Sequence, residues 1–167
     1  YNTRGEHMIK DTADEVISKM NDVAMMYHRL VLLVGQPGSG KTRVLKEVER
    51  LTGAPRVNVS LELSKRLLNL TQKERSLRAA AVFEDMLSEL RREDGRSLGS
   101  VLLDNIEGLF DVSLALNVLQ LLQKASRNTT LVVAWTGSVK DGFLTYAQPG
   151  HAEYQRYPSE GLVVVEV

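Results

Sequence analysis

The sequence contains no cysteine. Disulfides, thiolate metal sites and cysteine nucleophiles are excluded together, and the absence fits a cytosolic protein. An excess of either charge is also missing: 21 Lys and Arg stand against 21 Asp and Glu in 167 residues. Composition therefore supplies no net pull toward nucleic acid or an anionic membrane surface. No apolar run approaches the roughly 20 residues that a membrane helix needs, and no secretory signal, internal repeat, linker or low-complexity stretch is present. What remains is an ordinary globular composition, 43% apolar and 25% charged, long enough for one sizeable core. Residues 1–7, ending at His7 before Met8, look like an expression-tag remnant, so a single domain is expected over residues 8–167.

Apolar residues alternate between two periodicities. Val16, Ile17, Met20, Val23, Ala24 and Tyr27 recur at helical spacing, which predicts an amphipathic helix over residues 11–29, capped near Asp11 or Thr12. Residues 30–34 form a short continuous apolar run, as a strand buried on both faces requires. A helix over 42–51, stopped by Gly53 and Pro55, and a strand over 57–60 follow. The charged stretch 63–92 predicts two helices divided near Thr71, then 101–103 a strand ending at Asp104. Residues 113–126 read as an apolar helix, 131–135 as a strand and 162–167 as the last strand, while 136–160 shows little periodicity. Strands alternating with helices predict an α/β fold, a parallel sheet of about five strands covered by helices on both faces.

Gly35-Gln36-Pro37-Gly38-Ser39-Gly40-Lys41-Thr42 satisfies G-x-x-x-x-G-K-[ST] without mismatch. Glycines let successive backbone N–H groups wrap a polyphosphate, and the following helix turns its positive end toward the same anion. In such a loop Lys41 supplies charge to the β and γ phosphates and Thr42 offers its hydroxyl to Mg²⁺. Arg43, next in the chain, completes the expected nucleotide-binding set. A chain of this length and average composition matches by chance about once in 150–200. Here the match also lies between a buried strand and a helix, the context the chemistry demands.

A triphosphate–Mg²⁺ site takes a carboxylate from a neighbouring strand, since the ion keeps several waters and few protein ligands. Asp104, at the tip of an apolar strand, is the candidate metal residue beside Thr42. Hydrolysis also needs a group that orients the attacking water. Many ATPases of this class carry Glu directly after that Asp, where this chain has Asn105. Glu107, Glu62 and Asn105 are the substitutes, and the choice stays open between Glu107 and Glu62. Thr136, at a strand tip, is a candidate for contact with the γ phosphate or the water, against the alternative of a turn cap. Arg127 and Arg156 are candidates to reach a γ phosphate in cis or across a subunit interface, although a surface arginine is the commoner case. Arg156 stands before the last strand, where ring-forming ATPases of the AAA+ type place their finger. Guanine specificity is disfavoured, because Ser138-Val139-Lys140-Asp141 does not fit Asn-Lys-x-Asp. ATP with Mg²⁺ is the expected ligand. An AAA+-like core without the C-terminal helical lid is expected, its nucleotide covered by another copy or another protein.

Five stretches carry a family resemblance: residues 32–42, 57–70 (VNVSLELSKRLLNL), 101–111 (VLLDNIEGLFD), 131–139 (LVVAWTGSV) and 144–158 (LTYAQPGHAEYQRYP). The chain resembles the BrxF family, small P-loop proteins of type 3 bacteriophage-exclusion (BREX) gene clusters. The resemblance implies a cytoplasmic ATP-binding component of an anti-phage system. It also implies partners: a larger AAA+ ATPase, a phosphatase-like protein, a DNA methyltransferase and a helicase. DNA contact is not shown by the sequence, because Lys65, Arg66, Lys73, Arg75, Arg78, Arg91, Arg92 and Arg96 are interleaved with acids, the pattern of a solvated helix face. Two other classes compete with an ATPase: a small-molecule or nucleoside kinase, which would use residues 63–96 as its lid, and a nonhydrolysing ATP-dependent adaptor.

Overall fold

The computed structural model describes residues 3–90 and 99–167, so Arg91, Arg92 and Arg96 lie outside the described residues. Helix α1 spans Thr3–Val23 and buries Ile9, Ala13, Val16, Met20 and Val23 along one stripe. It starts inside the segment read as a tag remnant and ends before residue 29, a correction at both ends. Thr12 does not cap it. Its hydroxyl donates to the Met8 carbonyl at 2.7 Å, as a helix-interior threonine does. Beyond Val23 the stripe is broken, and Met25 stands 95% exposed.

Strand β1, Leu30–Gly35, is buried throughout. Helix α2, Lys41–Thr52, ends at Gly53, whose φ of 74° is the left-handed cap that glycine adopts cheaply. Strand β2 is only Arg56–Asn58, because the Asn58 side chain accepts from Leu61 N–H and turns the chain into helix α3, Val59–Leu67. Thr71 caps helix α4, Gln72–Ser88, with Glu74 bonding back to it. Strand β3, Ser100–Asp104, leads into two short 3₁₀ turns at Glu107–Phe110 and Val112–Leu114. The helix expected over 113–126 is therefore broken. Ala115 takes φ 52°, and Asn117 caps a shorter helix α5, Val118–Ala125.

The stretch 136–160 is not irregular. Strand β4 continues through it, Thr130–Lys140, and pairs antiparallel with β5, Phe143–Tyr146, which pairs with β6, Gln155–Pro158. Strand β7 is Val163–Glu166. The turn between β4 and β5 is Asp141-Gly142, both at positive φ, the two-residue geometry whose twist matches paired strands.

Five strands are parallel in the order β2-β3-β4-β1-β7, with β5 and β6 added on the far half of β4. Alternate residues of β1 enter different cores: Leu30, Leu32 and Val34 pack with α3, α4 and α5, and Val31 and Leu33 with α1 and α2. The parallel strands share one direction, so the ends of β1, β2 and β3, with Thr136 of β4, fall along one edge of the sheet. The register sets Gly35 beside Thr136 and Asn58 beside Asp104. In open parallel sheets that edge is where ligands bind. Among the described residues, no helix is long and apolar enough to cross a membrane.

Candidate functional site

The loop from Gly35 to Gly40 joins β1 to α2 within six residues, and its glycines do separate work. A Cβ on Gly35 would meet Ser39 Oγ and press on the Val167 carbonyl, so a side chain there would make the loop shift. Gly38 and Gly40 have φ of 76° and 103°, values that side chains rarely tolerate. No side chain caps α2 at Gly40, and its first turn holds no acid. The first-turn amides at Lys41–Arg43 thus border the cleft with the positive end of the helix behind them.

That cleft measures about 730 Å³ and is lined by Pro37, Gly38, Gly40, Lys41, Thr42, Arg43, Lys46, Arg56, Asn58, Asp104, Asn105, Glu107, Ala134 and Thr136. Its size is within the range of small-molecule and cofactor sites. Lys41 Nζ donates to the carbonyls of Gly35 at 2.9 Å and Gln36 at 2.8 Å, which fixes the amine across its own loop. Burial lowers the Lys41 pKa, and the carboxylates of Glu107 and Asp104 pull it back up. Lys41 is thereby one of the cations lining the cleft, with the two acids Glu107 and Asp104 in electrostatic reach.

Thr42 Oγ1 donates to Asp104 Oδ2 at 2.9 Å, across 62 residues of sequence. Asp104 is buried, 8% exposed, and its other oxygen accepts from Asn105 N–H at 2.9 Å. A hydroxyl and a carboxylate on one spot make a hard oxygen donor pair. Among the described residues no group of three His, Cys, Asp or Glu side chains forms a metal cage. The Thr42–Asp104 pair suits Mg²⁺, which keeps several waters and takes its remaining ligands from phosphates.

Glu107 is held at the same edge by Thr136, whose Oγ1 donates to Glu107 Oε1 at 2.9 Å. The second oxygen, Oε2, is buried with no hydrogen-bond partner. A buried carboxylate oxygen without a donor is costly. Glu62 is elsewhere: it pairs with Lys65 at 3.6 Å on α3 and does not line the cleft. Asn105 lines it at φ 54°, with its Nδ2 donating to Asn58 Oδ1 at 3.0 Å. Gln36 Nε2 reaches the Gly137 carbonyl at 3.1 Å and ties the loop to β4.

Arg156 does not reach this cleft. It is exposed on β6, with its guanidinium 3.5 Å over the Phe143 ring. Arg127 stacks over Tyr27 at 4.8 Å, also outside the cleft. Lys46, Arg56 and Asn58 line the cleft and escaped the sequence reading. Asn58 carried one signal, a capping-type residue at the strand-to-helix junction. Arg56 carried none.

No family model matches the chain, and no curated protein matches its sequence. Among solved structures it is similar to C. elegans PCH-2, at 16% identity and a TM-score of 0.47. That match covers 80% of this chain and 39% of the other. A likeness at this level says nothing of chemistry, which rests on the side chains above.

Behind the cleft lies an aromatic wedge. Trp135 is fully buried, Phe110 meets it edge-on at 5.2 Å, and Tyr146 stacks on Phe110 at 3.5 Å. Trp135 Nε1 donates to the Thr145 carbonyl at 3.0 Å, and a Cβ on Gly137 would strike that same carbonyl. The hairpin can cover the tryptophan only because residue 137 has no side chain. Burial, then the charges of Glu107 and Glu153, push the Tyr146 hydroxyl up to about 12. The Tyr146 phenol on β5 thus lies within electrostatic reach of Glu107.

Proposed function

We propose that this chain binds Mg-ATP in the cleft and hydrolyses it to ADP and phosphate. One observation carries the reading: the Thr42–Asp104 bond and the Glu107–Thr136 bond open onto the same cleft as the glycine loop and Lys41. In this reading the loop amides and Lys41 bind the β and γ phosphates. Thr42 and Asp104 hold Mg²⁺, which when bound supplies charge neutralisation across the phosphates. Glu107, positioned by Thr136, orients a water for attack on the γ phosphorus. The bond from that phosphorus to the β-bridging oxygen breaks, ADP leaves, and the water's proton ends on the released phosphate. Glu107 is favoured over Glu62 because it lines the cleft and is held there by Thr136, whereas Glu62 is engaged with Lys65 on α3.

A kinase is less well supported. The described part of the segment it would need as a mobile lid, up to residue 90, holds α3 and α4, anchored in the core by Leu63, Leu67, Ala79 and Phe83. A nonhydrolysing adaptor has one observation in its favour: Asn105, which replaces the acid usual after the strand-tip aspartate, is tied to Asn58. The five motif stretches support a further proposal, a cytoplasmic role in a BREX anti-phage assembly on an AAA+-like core. There the chain would act with copies of itself, with a larger AAA+ ATPase and with the other BREX proteins. Light scattering with and without ATP tests the self-assembly.

The deciding experiment is phosphate release from Mg-ATP, wild type beside Lys41→Ala and Glu107→Gln, with binding of a fluorescent ATP analogue measured in parallel. Lys41→Ala should remove binding and release together. Glu107→Gln should keep binding and lose release by about 10²–10⁴-fold. Binding without release in the wild type would select the adaptor reading, and no binding at all would end the proposal.

A further inference from the structure

Arg56 is the one arginine from outside the loop and its helix that lines the cleft among the described residues. Its Nη1 is 3.6 Å from Asp104 Oδ2, the oxygen that also accepts from Thr42. On its other side, Nε is 3.8 Å from Glu49 Oε1. Both contacts are ion pairs longer than a hydrogen bond, and Nε is buried with no hydrogen-bond partner. The arginine side chain is 27% exposed and that of Asp104 is 12%. Arg56 is thus a charge shared between two carboxylates and firmly bonded to neither.

Glu49 is fixed where it can serve as the alternative partner. Its Oε2 accepts from the Arg56 backbone N–H at 3.3 Å, which ties α2 to the start of β2. A guanidinium that leaves Asp104 still has a counter-ion within reach of its own stem. This matters because a divalent cation and a guanidinium cannot both take full advantage of one carboxylate oxygen. Like charges at a few ångströms repel, and in a half-buried site the repulsion is only partly screened.

We propose that Arg56 is a positioning residue that occupies the cation side of Asp104 until Mg²⁺ arrives, then withdraws to Glu49. The inference rests on the Mg-ATP reading and deepens it. Arg56 stabilises the metal-free carboxylate, and each binding of Mg²⁺ must displace it. Part of the metal's binding free energy is spent on that exchange, so the metal dependence of nucleotide binding is set by the strength of the Arg56–Asp104 pair.

The test is the ratio of dissociation constants for a fluorescent ATP analogue measured in EDTA and in saturating Mg²⁺. A merely structural arginine would change stability without moving this ratio. Arg56→Met should raise it about three- to tenfold, the value of a partly buried ion pair no longer competing. Glu49→Gln, which leaves the stem hydrogen bond an acceptor but weakens the alternative partner, should lower it. In an Asp104→Asn background Arg56→Met should have no effect on the ratio. An unchanged ratio in Arg56→Met overturns the proposal, as does equal weakening in EDTA and in Mg²⁺, which would make Arg56 a phosphate ligand. If Arg56→Met does not fold, an unchanged ratio in folded Glu49→Gln overturns it alone. Failure of the wild type to bind the analogue would instead sink the nucleotide reading itself.

Discussion

The bond between Thr136 and Glu107 links two parts of the chain 29 residues apart, and it can be weighed by a double-mutant cycle. Thr136→Val keeps the branched shape and the strand preference, so the bond is what it removes. A hydrogen bond to a charged acceptor contributes about 1.5–3 kcal/mol. The pair is only partly buried, which places the expected loss near the lower end, about 1.5 kcal/mol. Glu107 Oε2 already lacks a partner, so Thr136→Val removes the one side-chain donor bonded to this carboxylate among the described residues. In a Glu107→Ala background the threonine has lost its acceptor, and Thr136→Val should cost no more than about 0.5 kcal/mol. The expected coupling is therefore about 1 kcal/mol, read from urea unfolding of the four proteins. Phosphate release offers a second readout: with Glu107 no longer held, Thr136→Val should slow hydrolysis about tenfold, the equivalent of about 1.4 kcal/mol, with analogue binding intact. Additivity of the two substitutions within about 0.3 kcal/mol would refute the energetic link, whatever the activity did.

Tyr146 predicts an alkaline limb of stability. Its folded pKa of about 12 exceeds the unfolded value of about 10, so above pH 10 the unfolded chain holds fewer protons and stability falls as pH rises toward 12. Two pH units correspond to about 2.7 kcal/mol, and Tyr146→Phe should flatten the decline in denaturant melts; an unaltered slope would place the phenol in solvent. Gly137→Ala should destabilise by about 3 kcal/mol, because the new methyl meets the Thr145 carbonyl; a neutral result in thermal melts would mean that the hairpin does not lie over Trp135. Arg156→Ala should leave hydrolysis by the isolated chain unchanged, since Arg156 stands over Phe143 outside the cleft. A fall in activity seen only in an assembled form would point to a finger acting across an interface.

The parts of this fold that were legible in the sequence are those whose cause is local. A five-residue apolar run followed by a glycine loop reports β1 and α2, because burial on both faces and phosphate-loop spacing leave direct marks on neighbouring residues. Thr71 marked the break between α3 and α4 for the same reason. The β4–β5 hairpin is missed although its turn, Asp141-Gly142, is a recognised hairpin signal; β5 and β6 are four residues each, too short for alternation to stand out from Gly, Pro and Tyr. The helix over 113–126 was overextended, because apolar periodicity continues through Ala115, where the backbone turns left-handed. At the site, Asp104 followed from its strand, but nothing local distinguishes Glu107 from Glu62. The difference is Thr136, brought in by a strand from far along the chain. Arg56 was silent for a similar reason, as its two acidic partners are 7 and 48 residues away.

Strand β4 does not end at the cleft. It passes Thr136 and runs on for four more residues to Lys140, so the threonine sits within one rod about 36 Å long. Its front half is clamped between β1 and β3, and its back half carries β5 and, through it, β6 with the exposed Arg156. Gln36 adds a strap from the glycine loop to the rod just past Thr136. The backbone at Thr136 is therefore held by pairing on both sides of it along the strand. The outer hairpin and the Thr136–Glu107 hydrogen bond are thus built on one continuous strand.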